Sequence, residues 1–194
     1  MTWLLCDYGE VLSLAPSPAD RDALEVAAGV TGDAFWSEYW AHRPEYDRGT
    51  VTTDEYWSRV LGTRIPPTTI ERLLECDATM WSRPNEASLA AVHRLAHDGH
   101  RLAILSNAPA PLADGLERLA WLAPFETRIF SGRLGLLKPE SAIYHVTLAA
   151  LGADPGDVIF VDDRAENIDA ARALGLEAHV FTGPTTLEAL ARPT

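Results

Sequence analysis

Four separate stretches of this chain place reactive side chains directly after apolar runs or at the foot of a helix. Asp7 follows Leu4, Leu5 and Cys6 in LLCDYGEVL, and Ser106 and Asn107 close RLAILSN. Asp162 and Asp163 end DVIFVDD, and Lys138 lies in the glycine-rich loop SGRLGLLKPE just before a helical pattern. If the apolar runs are strands of one parallel sheet, all these groups emerge at its carboxyl edge, where open α/β sheets bind ligands. That edge would gather three carboxylates, a hydroxyl, a carboxamide and one ammonium. Mg²⁺ binds one or two carboxylates together with water and phosphate oxygens, so the acids suit it. Lysine and serine suit a phosphate, and a carboxylate can itself become a covalent nucleophile. Each signal alone is weak. A strand-end aspartate can be a cap, Ser-Asn is a turn signal, and Asp162-Asp163 could cap the next helix as well as hold a metal.

The elements that must position these groups are legible. Five apolar runs read as strands, at 2–6, 101–106, 127–131, 157–162 and 177–182. From residue 86 they alternate with helical patterns that stop at Gly99, Gly152 and Gly175, each in a C-cap position, and Pro139 sits in a first turn. Near-continuous apolar strands alternating with helices predict a Rossmann-like α/β fold, a parallel sheet with helices on both faces. Residues 16–85 break the rhythm and read as helices only, with Trp36, Trp40, Trp57 and Trp81 among them. This predicts an α/β core of residues 1–15 and 86–194 and an all-helical cap subdomain of residues 16–85 over the strand ends. The alternative is a helical layer against the sheet edge.

At 194 residues the chain suffices for one domain with an insertion. Its net charge of −12 argues against nucleic acid or an anionic membrane as partner, yet permits a local phosphate pocket. Cys6 reads as a small buried hydrophobe, and two cysteines make no disulfide framework, so a reducing, cytoplasmic location is expected. The N-terminus reads as neither signal peptide nor membrane span. His93 and His97 share a helix face without a third ligand and read as surface residues.

Taken together, Asp7 in LLCDYGEVL, Ser106-Asn107 in ILSNA, Lys138-Pro139, and Asp162-Asp163 with Asn167 in VIFVDDRAENIDAARALG resemble the four ordered motifs of the haloacid dehalogenase-like (HAD) hydrolase superfamily. The glycine two after Asp7, with LSN and DDxxxN, is similar to a helical-cap (C1) phosphatase subfamily. That subfamily includes α-glucose-1-phosphate phosphatases and is related to the phosphatase domain of epoxide hydrolases. The resemblance implies a Mg²⁺-dependent phosphatase acting on a small phosphorylated metabolite, with a sugar phosphate expected. Asp7 would attack phosphorus and bind Mg²⁺, with the Gly9 carbonyl and Asp163 as further ligands and Asp162 as a near carboxylate. Ser106, Asn107 and Lys138 would hold the phosphoryl group, and Asn167 would orient Asp163.

One departure stands out. Phosphatases of this superfamily mostly carry an aspartate two residues after the nucleophile, as the acid that protonates the leaving oxygen; here it is Gly9. Glu10 could reach in, or a cap group such as Glu38, Glu45, Tyr39 or Tyr46 could serve, or the leaving group could need little help. The other classes in play are a 2-haloacid dehalogenase, which needs no metal, and a non-catalytic protein that only binds a phosphorylated ligand.

Overall fold

The computed structural model describes residues 2–190; residue 1 and residues 191–194, the outer ends of the expected core, lie outside the described residues. Its sheet comprises β1 (Trp3–Cys6), β2 (Arg101–Ser106), β3 (Thr127–Phe130), β4 (Val158–Asp162) and β5 (Glu177–Val180). All pairs are parallel, in the order β3-β2-β1-β4-β5. The first strand is thus central, with β2 and β4 on either side. Cys6 pairs with Ile104 and Val161, so Asp7 leaves the sheet one step later, beside Asp162.

Alternation along each strand divides the core between the two faces. Leu4 and Cys6 point into a layer made by α6 (Glu86–His97), α7 (Ala110–Leu116) and α10 (Pro184–Leu190). Trp3 and Leu5 point the other way, onto α8 (Ser141–Leu151) and α9 (Ala165–Ala173). Leu4 and Leu5 are fully buried, worth roughly 1.5–3 kcal/mol each in apolar transfer. The fold class is the one the strand and helix patterns predict. His93 and His97 lie exposed on α6.

Between β1 and β2 run α1 (Pro18–Ala28), α2 (Asp33–Ala41), α3 (Arg43–Arg48), α4 (Thr53–Val60) and α5 (Pro67–Met80). This inserted helical layer has its own core, including Leu24, Tyr39, Tyr46, Tyr56, Trp57 and Met80. Tyr46 stacks on Tyr56 with centroids 4.2 Å apart. Capping boxes at Ser17/Asp20 and Thr52/Glu55 start α1 and α4. The helical pattern of 32–44 is not one helix: it breaks at His42, and α3 begins with Pro44 in its first turn. Proline lacks an N–H and collides with the carbonyl four residues back, so the chain restarts there. Among the described residues no helix is long and apolar enough to cross a membrane.

Two chain crossings join insert and core side by side: Leu14 N–H donates to Arg83 O at 2.9 Å and Asn85 N–H to Leu12 O at 2.8 Å. A second contact lies across the cleft, where α3 meets the turn Ser131–Arg133. The Ser131 hydroxyl donates to Asp47 O at 2.5 Å and accepts from Ala108 N–H at 2.9 Å. Arg48 forms an ion pair with Glu140. Gly49, at φ +79°, comes so near Gly132 that a Cβ would lie 2.5 Å from the Gly132 carbonyl oxygen.

This close approach generates a stability prediction. Gly49→Ala should cost more than the roughly 1–2 kcal/mol of placing alanine in left-handed backbone, because the clash is with backbone that cannot rotate away. Gly29→Ala, at φ +72° with open space around it, should cost that conformational term alone. Thermal denaturation of both variants should give Gly49→Ala at least twice the fall in Tm of Gly29→Ala.

Candidate active site

The carboxyl edge of the sheet converges on one buried ammonium. Lys138 Nζ lies 2.7 Å from Asp7 Oδ1 and 2.6 Å from Asp162 Oδ2, and donates to Leu105 O at 2.9 Å. Its three protons therefore have three acceptors. Burial would lower the Lys138 pKa, but Asp7 and Asp162 more than offset it and hold it above its ordinary value. Asp7 is placed by the strand: its N–H donates to Val161 O at 2.8 Å, continuing the pairing of β1 and β4. Burial raises its carboxyl to about 7, Lys138 pulls it back, and Asp162 and Asp163 push it up again.

Asp162 is fully occupied. Besides Lys138 it accepts from Asn167 Nδ2 at 2.9 and 3.0 Å and from Arg164 N–H at 2.9 Å. Asn167 therefore faces Asp162, not Asp163 as the DDxxxN pattern was read to imply. Asn167 lies in the first turn of α9, and its amide reaches back five residues to the first aspartate. Asp163 is left exposed at the rim, its carboxyl raised by burial first and by Asp162 second.

Asn107 is also committed differently from the sequence expectation of a phosphate contact. Its Nδ2 donates to Lys138 O at 3.0 Å and its Oδ1 accepts from Lys138 N–H at 2.9 Å. The carboxamide mimics a strand partner for the lysine backbone, which is how a loop lysine is carried to Asp7. Ser106, at the end of β2, lines the same cleft and is 5% exposed.

These side chains floor a cavity of about 550 Å³ whose roof comes from the helical insert through Trp40, Arg43, Pro44, Asp47 and Trp81. The insert thus covers the strand ends. Trp40 is 49% exposed and meets Trp81 edge-on at 6.5 Å. A Cβ on Gly9 would lie 3.5 Å from the Trp81 ring, an ordinary van der Waals contact, so the indole sits close beside the backbone that follows the expected nucleophile. Glu10 lines the cavity at φ +58°, exposed, near enough to raise Asp163 by its charge. Glu38, Glu45, Tyr39 and Tyr46 do not line it. Glu38 pairs with His42, Glu45 with Arg59, Tyr39 donates to Asp77, and Tyr46 bonds Thr53. Arg43 and Asp47 escaped the sequence reading because in HRPEYDRG they pass for the polar face of a helix.

The donor set fits a divalent cation. Oxygens of Asp7, Asp162 and Asp163 lie within 4.8 Å of one another, against the single positive charge of Lys138. With Asp162 saturated, Asp7 and Asp163 are the carboxylates with oxygen to spare, the one or two that Mg²⁺ takes.

Residues 17–175 match the family described as haloacid dehalogenase-like hydrolase. A sesquiterpene phosphatase of Aspergillus oryzae is 28% identical over 155 residues, covering 78% of this chain and 76% of that protein. A drimenol cyclase of Aspergillus calidoustus is 26% identical over 182 residues, and the match spans 92% of this chain but 33% of the cyclase. Mouse bifunctional epoxide hydrolase 2 is 32% identical over 97 residues, 47% of this chain and 18% of the hydrolase. In fold, a HAD family enzyme of Bacteroides thetaiotaomicron, solved with magnesium and inorganic phosphate, matches with a TM-score of 0.73 at 18% identity, covering 93% of each chain. An L-2-haloacid dehalogenase of Xanthobacter autotrophicus matches with 0.72 at 19% identity, over 92% of this chain and 76% of that one. On the family match, which covers most of its length, the chain belongs to the haloacid dehalogenase-like hydrolases.

Proposed function

We propose that the protein is a Mg²⁺-dependent phosphatase acting on a phosphate monoester, with Asp7 as nucleophile. The carrying observation is the Asp7–Lys138–Asp162 cluster with Asp163 beside it: two acids share one cation and a third lies within 4.8 Å of both. A dehalogenase attacking carbon needs no metal, and Asp163 would then stand beside two other carboxylates with nothing to hold. A phosphatase uses that surplus. Asp7, Asp163 and the Gly9 carbonyl would hold Mg²⁺, which when bound supplies the charge that lets an anionic ester approach the acids. Lys138 would neutralise phosphoryl oxygens near Asp7, and Ser106 would hydrogen-bond them.

The leaving-group side favours an apolar alcohol over the sugar first expected. Trp40 and Trp81 present indole surface there, with Leu112 and Leu116 at the cavity wall and the Tyr8 hydroxyl already spent on Trp81 O, where a sugar would need closely spaced hydrogen-bond partners. The resemblance to a sesquiterpene phosphatase supports the same reading.

In an assay with p-nitrophenyl phosphate and Mg²⁺, phosphate release should vanish on chelation and fall by at least about 10³ in Asp7→Asn, as expected for loss of a nucleophile. Activity surviving in that variant would refute the assignment. Asn107→Ala, which unhooks the Lys138 backbone without touching its charge, should lose roughly 10- to 100-fold in kcat. Across a panel of monophosphates, long-chain alkyl or prenyl esters should exceed hexose phosphates in kcat/KM. Trp40→Ala should raise KM for the apolar esters about tenfold and leave that of the hexose phosphates unchanged.

A further inference from the structure

The cluster on the sheet edge can attack and bind, but it holds no group suited to protonate the leaving oxygen. Lys138 is saturated by Asp7, Asp162 and Leu105, and position 9, where a second acid would stand, is a glycine backed by Trp81. An alkyl alcohol is a poor leaving group and needs that proton. We propose that Asp47, from the helical insert, is the general acid, placed on the opposite wall of the cavity from Asp7. The proposal rests on the phosphatase reading above.

Three observations carry it. Asp47 lines the same cavity as Asp7, Ser106 and Lys138, on the wall it shares with Trp40 and Pro44. Its position relative to the phosphate floor is fixed, because the Ser131 hydroxyl that takes up Asp47 O also binds Ala108 N–H, two residues beyond Ser106. The Gly49–Gly132 approach locks the same contact sterically. Finally, one carboxyl oxygen is free: Oδ1 accepts from Arg43 Nε at 2.6 Å, while Oδ2 has no hydrogen-bond partner among the described residues.

Burial favours a proton on Asp47, and the one cation beside it is divided between two acids. Arg43 is the cation facing it, on its own helix, and Arg43 is shared with Asp77 of α5. Asp77 also accepts from the Tyr39 hydroxyl of α2, so one guanidinium serves two acids, and of these Asp47 is the one that reaches the cavity. The nearest phenols, Tyr46 and Tyr56, are themselves held above their ordinary range by burial, and from the core side Asp47 meets Ser131, which carries no charge. Burial raises the Asp47 carboxyl to about 6 in spite of Arg43.

The step balances. An Asp7 oxygen bonds to phosphorus as the phosphorus–alkoxy bond breaks, and the Asp47 proton moves to the departing oxygen, giving the alcohol. Water then attacks the aspartyl phosphate and yields a proton to the Asp47 carboxylate, releasing inorganic phosphate and restoring both acids.

The test compares single-turnover release of the leaving group from an alkyl monophosphate and from p-nitrophenyl phosphate, whose phenolate departs unprotonated. Asp47→Asn keeps an acceptor for Arg43 and removes only the proton. It should slow alkyl release about 100-fold and change p-nitrophenolate release less than about threefold, and Asp47→Glu should recover part of the alkyl rate. In the wild type, the alkyl rate should fall about tenfold per pH unit above its midpoint, a limb missing from the aryl profile. Equal losses on the two esters in Asp47→Asn, or an alkyl rate left unchanged, would overturn the proposal, as would wild-type profiles with the same alkaline limb. Absence of phosphate release from either ester by the wild type defeats the phosphatase reading itself, a different result from an unsplit pair of rates.

Discussion

Everything at the sheet edge depends on one ammonium held among carboxylates. Lys138 is buried, and an isolated charge there would be costly to desolvate. It stays because Asp7 and Asp162 lie within 2.7 Å and a strand carbonyl completes its shell. The acids depend on it equally, since three carboxylates this close would otherwise repel one another. Each supporting group serves that arrangement: Asn107 fixes the lysine backbone, while Asn167 and the Arg164 amide fix Asp162. Asp7 and Asp163 are thereby left with unclaimed oxygens. A site built this way is preorganised, because its dipoles and charges are oriented before any ligand arrives.

The covering layer is tied to this centre rather than simply laid over it. It has an aromatic core of its own, and two adjacent crossings connect it to the segments after β1 and before α6. The far side is held by α3 through Ser131, Gly132 and Glu140. Trp40 and Trp81 then stand over the cleft, while Trp36 and Trp57 belong to the packing of the insert. The four tryptophans that make the segment conspicuous in sequence thus divide between two jobs.

Much of the architecture was legible because its signals are local. Short apolar strands, glycine stops and the ordered Asp7, Ser106, Lys138 and Asp162 motifs require no knowledge of distant contacts. What escaped was set by tertiary pairing. Spacing alone puts Asn167 one turn beyond Asp163, yet the hydrogen bonds go to Asp162, which is buried with it while Asp163 is exposed. Asn107 looked like a ligand for phosphate, and only the fold shows its amide spent on the Lys138 peptide. Asp47 was invisible for the same reason: what sets it apart is a serine 84 residues away in sequence, at the turn where α3 lands. The break at His42 was readable from Pro44, but two helices with nearly continuous polar faces mask it.

The contacts of α3 have one more consequence. Ser131 grips both Asp47 and Ala108, and Glu140 binds both Arg48 and the Leu137 amide, next to Lys138. One short helix is thus tied at once to the loop that follows Ser106 and to the loop that carries Lys138. The two walls of the cleft share a common brace, so slack introduced at either tie reaches both.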